Sequence, residues 1–121
     1  MRLSSSLNII LIINESPWGN SLSATAARLA GHVSDSGHNL QAVFFREDGV
    51  YNCQRGMSET SSTENPAGAW ADLGANHDTH LMVCQSSAAR RLPQKPESPF
   101  REAGLVELMD RVADCDRVIT L

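Results

Sequence analysis

Clustered positive charge is missing from this chain. Ten Lys and Arg stand against fourteen Asp and Glu, a formal net charge of −4, and Arg90-Arg91 is the only pair of adjacent basic residues. Phosphate backbones are held by clusters of Lys and Arg, so a direct nucleic-acid partner is not expected. Long apolar runs are missing as well. The longest, Ile9 to Ile13, is far too short to span a bilayer, and no apolar segment leads into a small-residue cleavage site. Neither a membrane nor secretion is expected. Cysteine is scarce and odd in number: Cys53, Cys84 and Cys115 are widely spaced and do not form a disulfide framework. Free thiols in a chain without a targeting segment point to the cytoplasm. The glycine-rich phosphate and dinucleotide motifs and the G-x-S-x-G elbow are absent, and no repeat or low-complexity block is found.

What remains is an ordinary globular composition. Its 121 residues are 41% hydrophobic and 20% charged, enough to bury one core, and a single domain over residues 1–121 is expected. Leu7-Asn8-Ile9-Ile10-Leu11-Ile12-Ile13 is nearly continuous aliphatic sequence, the pattern of a strand buried on both faces of a parallel sheet. A turn-rich loop, 14–20, precedes Ser21, a helix cap by residue type. Leu22, Ala26, Leu29, Ala30 and Val33 then follow helical spacing towards Gly37. Leu40 to Phe45 reads as a second strand. The stretch from Arg46 to about Glu64 reads as one long loop, the kind that is usually functional or disordered. Pro66 suits the first turn of a helix carrying Trp70 and Leu73. Leu81-Met82-Val83 is a third, short strand, followed by a short helix after Cys84. Pro93, Pro96 and Pro99 forbid regular structure over 92–99. A helix from about Arg101 to Ala113, with Leu105, Leu108, Met109 and Val112 on one face, and a last strand from Arg117 complete the chain.

The alternation of strands and helices implies an α/β fold, three-layered α/β/α, with a mostly parallel central sheet of four to five strands in a flavodoxin-like arrangement. In such sheets ligands and chemistry gather at the carboxyl ends of the strands. Three segments meet there: the 14–20 loop, the 46–64 loop and the turn at Cys84.

Cys84 ends an apolar stretch and is followed by Gln85-Ser86-Ser87. A sulfur at a strand end that opens a helix faces unpaired backbone N–H groups, which stabilise a thiolate. A free cysteine is also commonly a small hydrophobe in a core, and both readings stand at this point. Ser86 and Ser87 carry hydroxyls that can cap the helix or hydrogen-bond the sulfur. Arg90 and Arg91 lie ~9 Å further along a helix rising about 1.5 Å per residue, and reach the sulfur only if the chain bends back. Cys53, in the long loop, is either an accessory or resolving thiol or an incidental one. Cys115 falls at the opposite edge and reads as packing. His77-Asp78-Thr79-His80 has no further ligand run and reads as a polar turn rather than a metal site. His32 and His38 flank a helix end, where an imidazolium suits the dipole. Glu47-Asp48 reads as a solvated turn.

Taken together these pieces resemble the DsrE/TusD family of sulfur-relay proteins over nearly the whole chain. The opening strand with Asn14-Glu15-Ser16-Pro17-Trp18 is similar to the family's first strand and loop. Gly37-His38 and Val43-Phe44-Phe45 followed by Gly49-Val50-Tyr51-Asn52 match its second segment. Trp70 matches its second helix, Cys84 with Arg90-Arg91 its C-x5-R-R signature, and Gly104-Leu105 through Cys115-Asp116-Arg117-Val118 its closing stretch. The resemblance implies a DsrE-like fold and a sulfurtransferase that accepts sulfane sulfur as a persulfide on Cys84, without metal or organic cofactor. It also implies assembly with homologous small subunits of the DsrF/DsrH or TusC/TusB kind into a heterohexamer. A TusA-like donor and a TusE/DsrC-like acceptor would serve tRNA 2-thiouridine synthesis or sulfur oxidation. Two departures stand out: Gln85-Ser86-Ser87 where the family has small apolar residues, and a shorter, proline-rich 92–99 segment. The alternatives are a non-catalytic assembly subunit of the same complex and a small flavodoxin-like ligand-binding domain.

Overall fold

The computed structural model describes residues 6–18, 22–54 and 66–121. The cap expected at Ser21 and the second half of the long loop lie outside the described residues. Five parallel strands form one sheet: β1 (Asn8–Ile13), β2 (Asn39–Phe45), β3 (His80–Cys84), β4 (Phe100–Ala103) and β5 (Arg117–Thr120). Their spatial order is β4-β3-β2-β1-β5. Four α-helices connect them: α1 (Leu22–Asp35), α2 (Pro66–His77), α3 (Gln85–Arg91) and α4 (Leu105–Ala113).

This order dictates the layers. The steps from β1 through β4 all move the same way across the sheet, so right-handed crossovers put α1, α2 and α3 on one face. The step from β4 back to β5 runs the other way, which puts α4 on the other face. The core divides accordingly. Ile9, Leu11, Ile13, Val43, Phe45, Leu81, Val83 and Phe100 point to the three-helix face and pack with Ala30, Trp70 and Ala88. Ile10, Ala42, Phe44, Met82, Cys84 and Ala103 point to the other face and pack with Leu108. A strand's period of two sends alternate residues of one apolar run to both cores, which is why β1 reads as unbroken aliphatic sequence. The three-layer α/β/α arrangement expected from sequence is the one observed.

Two expectations are corrected. The helix expected from Arg101 begins only at Leu105, because Phe100–Ala103 is a fourth parallel strand on the edge beside β3, with Cys84 opposite Ala103. Four residues between Pro99 and Gly104 are too few to show a strand period. Phe100, buried at 4% exposure, is drawn in by the three-helix core, where it stacks edge-on against Phe45. Secondly, the apolar face expected on α4 is only partly used: Leu108 is buried, while Leu105 and Met109 are exposed.

The segment after β2 is more ordered than a long loop. A 3-10 helix spans Glu47–Cys53, and its residues explain the local sequence. A Cβ on Gly49 would sit 2.0 Å from the Ile13 carbonyl oxygen, so only glycine lets the turn pass over β1. Val50 enters the core. The buried Asn52 side chain donates from Nδ2 to the carbonyls of Glu15 and Gly49, tying the loop after β1 to the turn. Tyr51 meets Trp18 at a ring-centroid distance of 5.3 Å.

Candidate active site

The carboxyl edge of the sheet brings together the loop after β1, the 3-10 helix after β2 and the β3–α3 turn. Cys84 is the last residue of β3 and the N-cap of α3, in extended backbone (φ −61°, ψ 119°). Its alternation from Val83 turns the sulfur to the α4 face, at 5% exposure. The Ser86 Oγ lies 3.5 Å from Cys84 Sγ. Burial pushes the thiol up, but the Ser86 and Ser87 hydroxyls and the backbone N–H groups of the same two residues outweigh it, and the net effect holds Cys84 below the ordinary thiol range. Hydrogen bonds to the charged form are what favour a thiolate here.

Ser87 is 1% exposed, and its Oγ accepts the N–H of Glu47 at 3.0 Å. Arg91 turns away from the sulfur to the same 3-10 helix. Its Nε donates to Asp48 Oδ1 at 2.9 Å and its Nη2 to Glu47 Oε1 at 3.0 Å, and these contacts, with the Asp48 hydrogen bond foremost, push the guanidinium further up. The acids expected to form a solvated turn are therefore the partners of Arg91. Arg90 is solvent-exposed. Of the residues singled out in the sequence, Ser86 comes within 3.5 Å of the sulfur and Ser87 lies in the same turn of α3, while Arg91 reaches only the segment that contacts Ser87.

Cys53 is placed differently. It closes the 3-10 helix, is 1% exposed and belongs to the three-helix core, on the opposite face of the sheet from Cys84. Burial alone pushes its thiol well up. Cys115 precedes β5 at the amino edge, where the neighbouring Asp116 accepts the Asn8 N–H. Two small clefts, of about 70 and 260 Å³, border the proline-rich segment between α3 and β4, and neither is lined by Cys84. His77 and His80 bracket a turn in which Thr79 Oγ1 donates to the Leu40 carbonyl, and among the described residues no group of His, Cys, Asp and Glu is arranged to hold a metal ion. His38 Nδ1 accepts the Leu7 N–H at 3.0 Å, which ties the turn after α1 to the residue before β1. Among the described residues no helix is long and apolar enough to cross a membrane.

Sequence reasoning missed the roles of Glu47 and Asp48 and of the Trp18–Tyr51 contact. The acids lie 43 to 44 positions from Arg91, a separation at which no spacing rule connects them.

Comparison with known proteins agrees with this architecture. The model of the DsrE/DsrF-like family matches residues 8–121. A sulfurtransferase TusD from Sodalis glossinidius is 30% identical over 94% of this chain and 98% of its own length. A sulfurtransferase TusD homolog from Vibrio vulnificus is 29% identical over 95% and 98%. Among solved structures, the ychN protein from E. coli superposes with a TM-score of 0.81 over 95% of this chain and 99% of that one, at 20% identity, a likeness of fold.

Proposed function

The chain belongs to the DsrE/DsrF-like family, and from that premise we propose that Cys84 is the residue on which it carries sulfur. The protein is a sulfurtransferase of the sulfur-relay type and works with partner proteins. The observation that carries the assignment to Cys84 is a sulfur at the carboxyl edge and at the N-cap of α3, with the Ser86 hydroxyl 3.5 Å away and the thiol held low.

The chemistry follows from a lowered thiol. The Cys84 thiolate attacks the outer sulfur of a donor persulfide. A new Sγ–S bond forms as the donor's S–S bond breaks, and the donor leaves as a thiolate that takes up a proton. The acceptor's thiolate then attacks the outer sulfur of the Cys84 persulfide, and Cys84 is the leaving thiolate. The sulfane sulfur changes hands without net oxidation or reduction. Groups that stabilise the Cys84 anion assist both halves, because it is nucleophile in the first and leaving group in the second. A TusA-like donor, a TusE/DsrC-like acceptor and homologous small subunits in a heterohexamer are the partners this reading implies, with tRNA 2-thiouridine synthesis as its setting in the light of the TusD relatives.

The test is direct. Incubation with a sulfane-sulfur donor adds about 32 Da per sulfur to the wild-type protein, mapped by peptide mass to Cys84, and Cys84→Ser abolishes that addition. Equal uptake at an equal rate by Cys84→Ser would sink the assignment.

A further inference from the structure

Cys84 packs in an apolar cluster with Phe44, Met82, Ala103 and Leu108. Arg91 spends its grip on Glu47 and Asp48, and the Ser87 Oγ accepts the Glu47 N–H. Ser86 is left as the polar side chain beside the sulfur, its Oγ 3.5 Å from Sγ. It is exposed and stands at the second position of α3, with Cys84 as the N-cap. A serine inside a helix commonly turns its hydroxyl back to the carbonyl of a preceding turn. For Ser86 the residues three and four positions back are Val83 and Met82, in β3 rather than in a helix, so no helical carbonyl claims the hydrogen.

Either atom can donate while Cys84 is a thiol. A thiolate has no hydrogen, so once the sulfur is charged the hydroxyl must be the donor. That charge sits on Sγ when the site is empty and ionised, and it returns to Sγ as sulfur leaves. In the loaded site Sγ is bonded to carbon and to the outer sulfur and carries no charge. A hydrogen bond to a charged acceptor is roughly twice as strong as one to a neutral acceptor. The contact therefore favours the empty site over the loaded one.

We propose that Ser86 is a catalytic residue of this site and sets its direction: by donating to Sγ as charge builds there, it favours release of sulfur from Cys84 over retention. This deepens the sulfur-carrier reading and rests on it. In the release step an acceptor thiolate attacks the outer sulfur. The new S–S bond forms as the Sγ–S bond breaks, and the bonding electrons stay on Sγ. The hydroxyl keeps its proton throughout, so the step needs neither an acid nor a redox partner. In the loading step the same hydrogen bond has two opposed effects: it keeps more of Cys84 ionised, and it makes each thiolate a weaker nucleophile. Release has no such conflict, because a stabilised thiolate is a better leaving group. The lowered Cys84 thiol agrees with the geometry.

The experiment equilibrates the protein with glutathione persulfide and glutathione at a fixed ratio and reads loaded and empty Cys84 by peptide mass. It is run at a pH where iodoacetamide labelling of Cys84 has levelled off in every variant, so that all start ionised. Ser86→Ala, at an exposed position where folding is little affected, is expected to raise the loaded-to-empty ratio about threefold, a modest effect because water replaces part of the lost hydrogen bond. Ser86→Thr keeps the hydroxyl and is expected to match the wild type. A ratio unchanged or lowered in Ser86→Ala overturns the inference. So does a rise that Ser86→Thr shares, since the hydroxyl would not be its cause. Labelling rates on the same proteins separate this from the carrier reading. Ser86→Ala is expected to label about threefold more slowly than wild type at neutral pH and about twofold faster on the plateau, where the thiolate without its donor is the stronger nucleophile. If that crossing is seen but the wild type takes up no sulfur, the carrier reading is rejected, and the release bias with it, while the Ser86 hydrogen bond stands. Sulfur uptake without the crossing leaves the carrier reading standing and rejects Ser86 as the donor.

Discussion

The two faces of the sheet carry one cysteine each at the carboxyl edge, and they treat it in opposite ways. Cys53 lies on the face covered by three helices, among Phe45, Val50, Trp70 and Leu92, where burial alone acts on the thiol and pushes it up. Cys84 lies on the face covered by one nine-residue helix. There both residues have little surface, 5% against 1% exposure, but the Cys84 sulfur is packed less deeply, the Ser86 hydroxyl lies 3.5 Å from it, and the thiol is held down. The difference teaches that reactivity here is decided jointly by how deeply the sulfur is packed and by which hydrogen-bond donors reach it. A strand end that opens a helix supplies such donors, while at Cys53, at the end of the 3-10 helix, no donor offsets burial.

The comparison breaks first, and by the largest effect, if the three-helix face is not the structural one. Trp70 is 1% exposed and meets Phe45 edge-on at 5.3 Å, so Trp70→Ala is expected to cost about 3–5 kcal/mol in denaturant unfolding, with loss of packing added to loss of burial. Leu108→Ala, the matching truncation beneath α4, is expected nearer 2 kcal/mol, because a short helix covering one face settles more easily into the space. A larger loss at Leu108 than at Trp70 would reverse the assignment of the faces.

Labelling the native protein sharpens the comparison at the thiols themselves. Cys84, whose thiol is lowered, should gain reactivity as pH rises through a range below that of a free cysteine and then level off. Cys53 is raised, so its anion is scarce across the same range and its labelling waits on opening of the core. At neutral pH the ratio of rates is expected on the order of 100 in favour of Cys84. Because the folded state prefers the Cys84 anion, that site adds stability as pH rises through its lowered value and loses the contribution as pH falls back through it. Cys53 has the opposite sign. Equal labelling of the two would remove the distinction.

Much of this is legible in the amino-acid order alone, and the limits have physical causes. Cys84 can be singled out because an apolar run stops at it and small polar residues follow, both local signals. The parallel sheet follows from the unbroken aliphatic run of β1, and the DsrE/TusD resemblance points to the family. Strand β4 is hidden because its four residues pair only through tertiary contact, and the helical spacing of Leu105, Leu108 and Val112 draws the expected helix too far forward. The Arg91 grip is hidden because its two halves are distant in sequence and meet only when two crossovers are in place. By element order Cys53 shares an edge with Cys84. Only the alternation along β3, which turns Cys84 to the α4 face, and the path of the 3-10 helix, which carries Cys53 into the three-helix core, put them in separate cores.

The smallest effect expected bears on the α4 face, where helical spacing is misleading. Val106 and Met109 are 78% and 61% exposed, while Leu108 and Val112 on the same helix pack against Phe44 and Met82. Apolar residues turned to water contribute little to folding, since burial of area is what stabilises. Val106→Ser and Met109→Ser are therefore expected to change unfolding stability by no more than about 0.5 kcal/mol each, measured at low protein concentration. The contrast with Leu108, one position away from Met109, isolates burial from residue type: both are large and apolar, and only one is covered. A loss above about 1 kcal/mol at Val106 or Met109 would mean that this side of α4 is packed in solution, and the thinly covered face would then have to be redrawn as a second structural face.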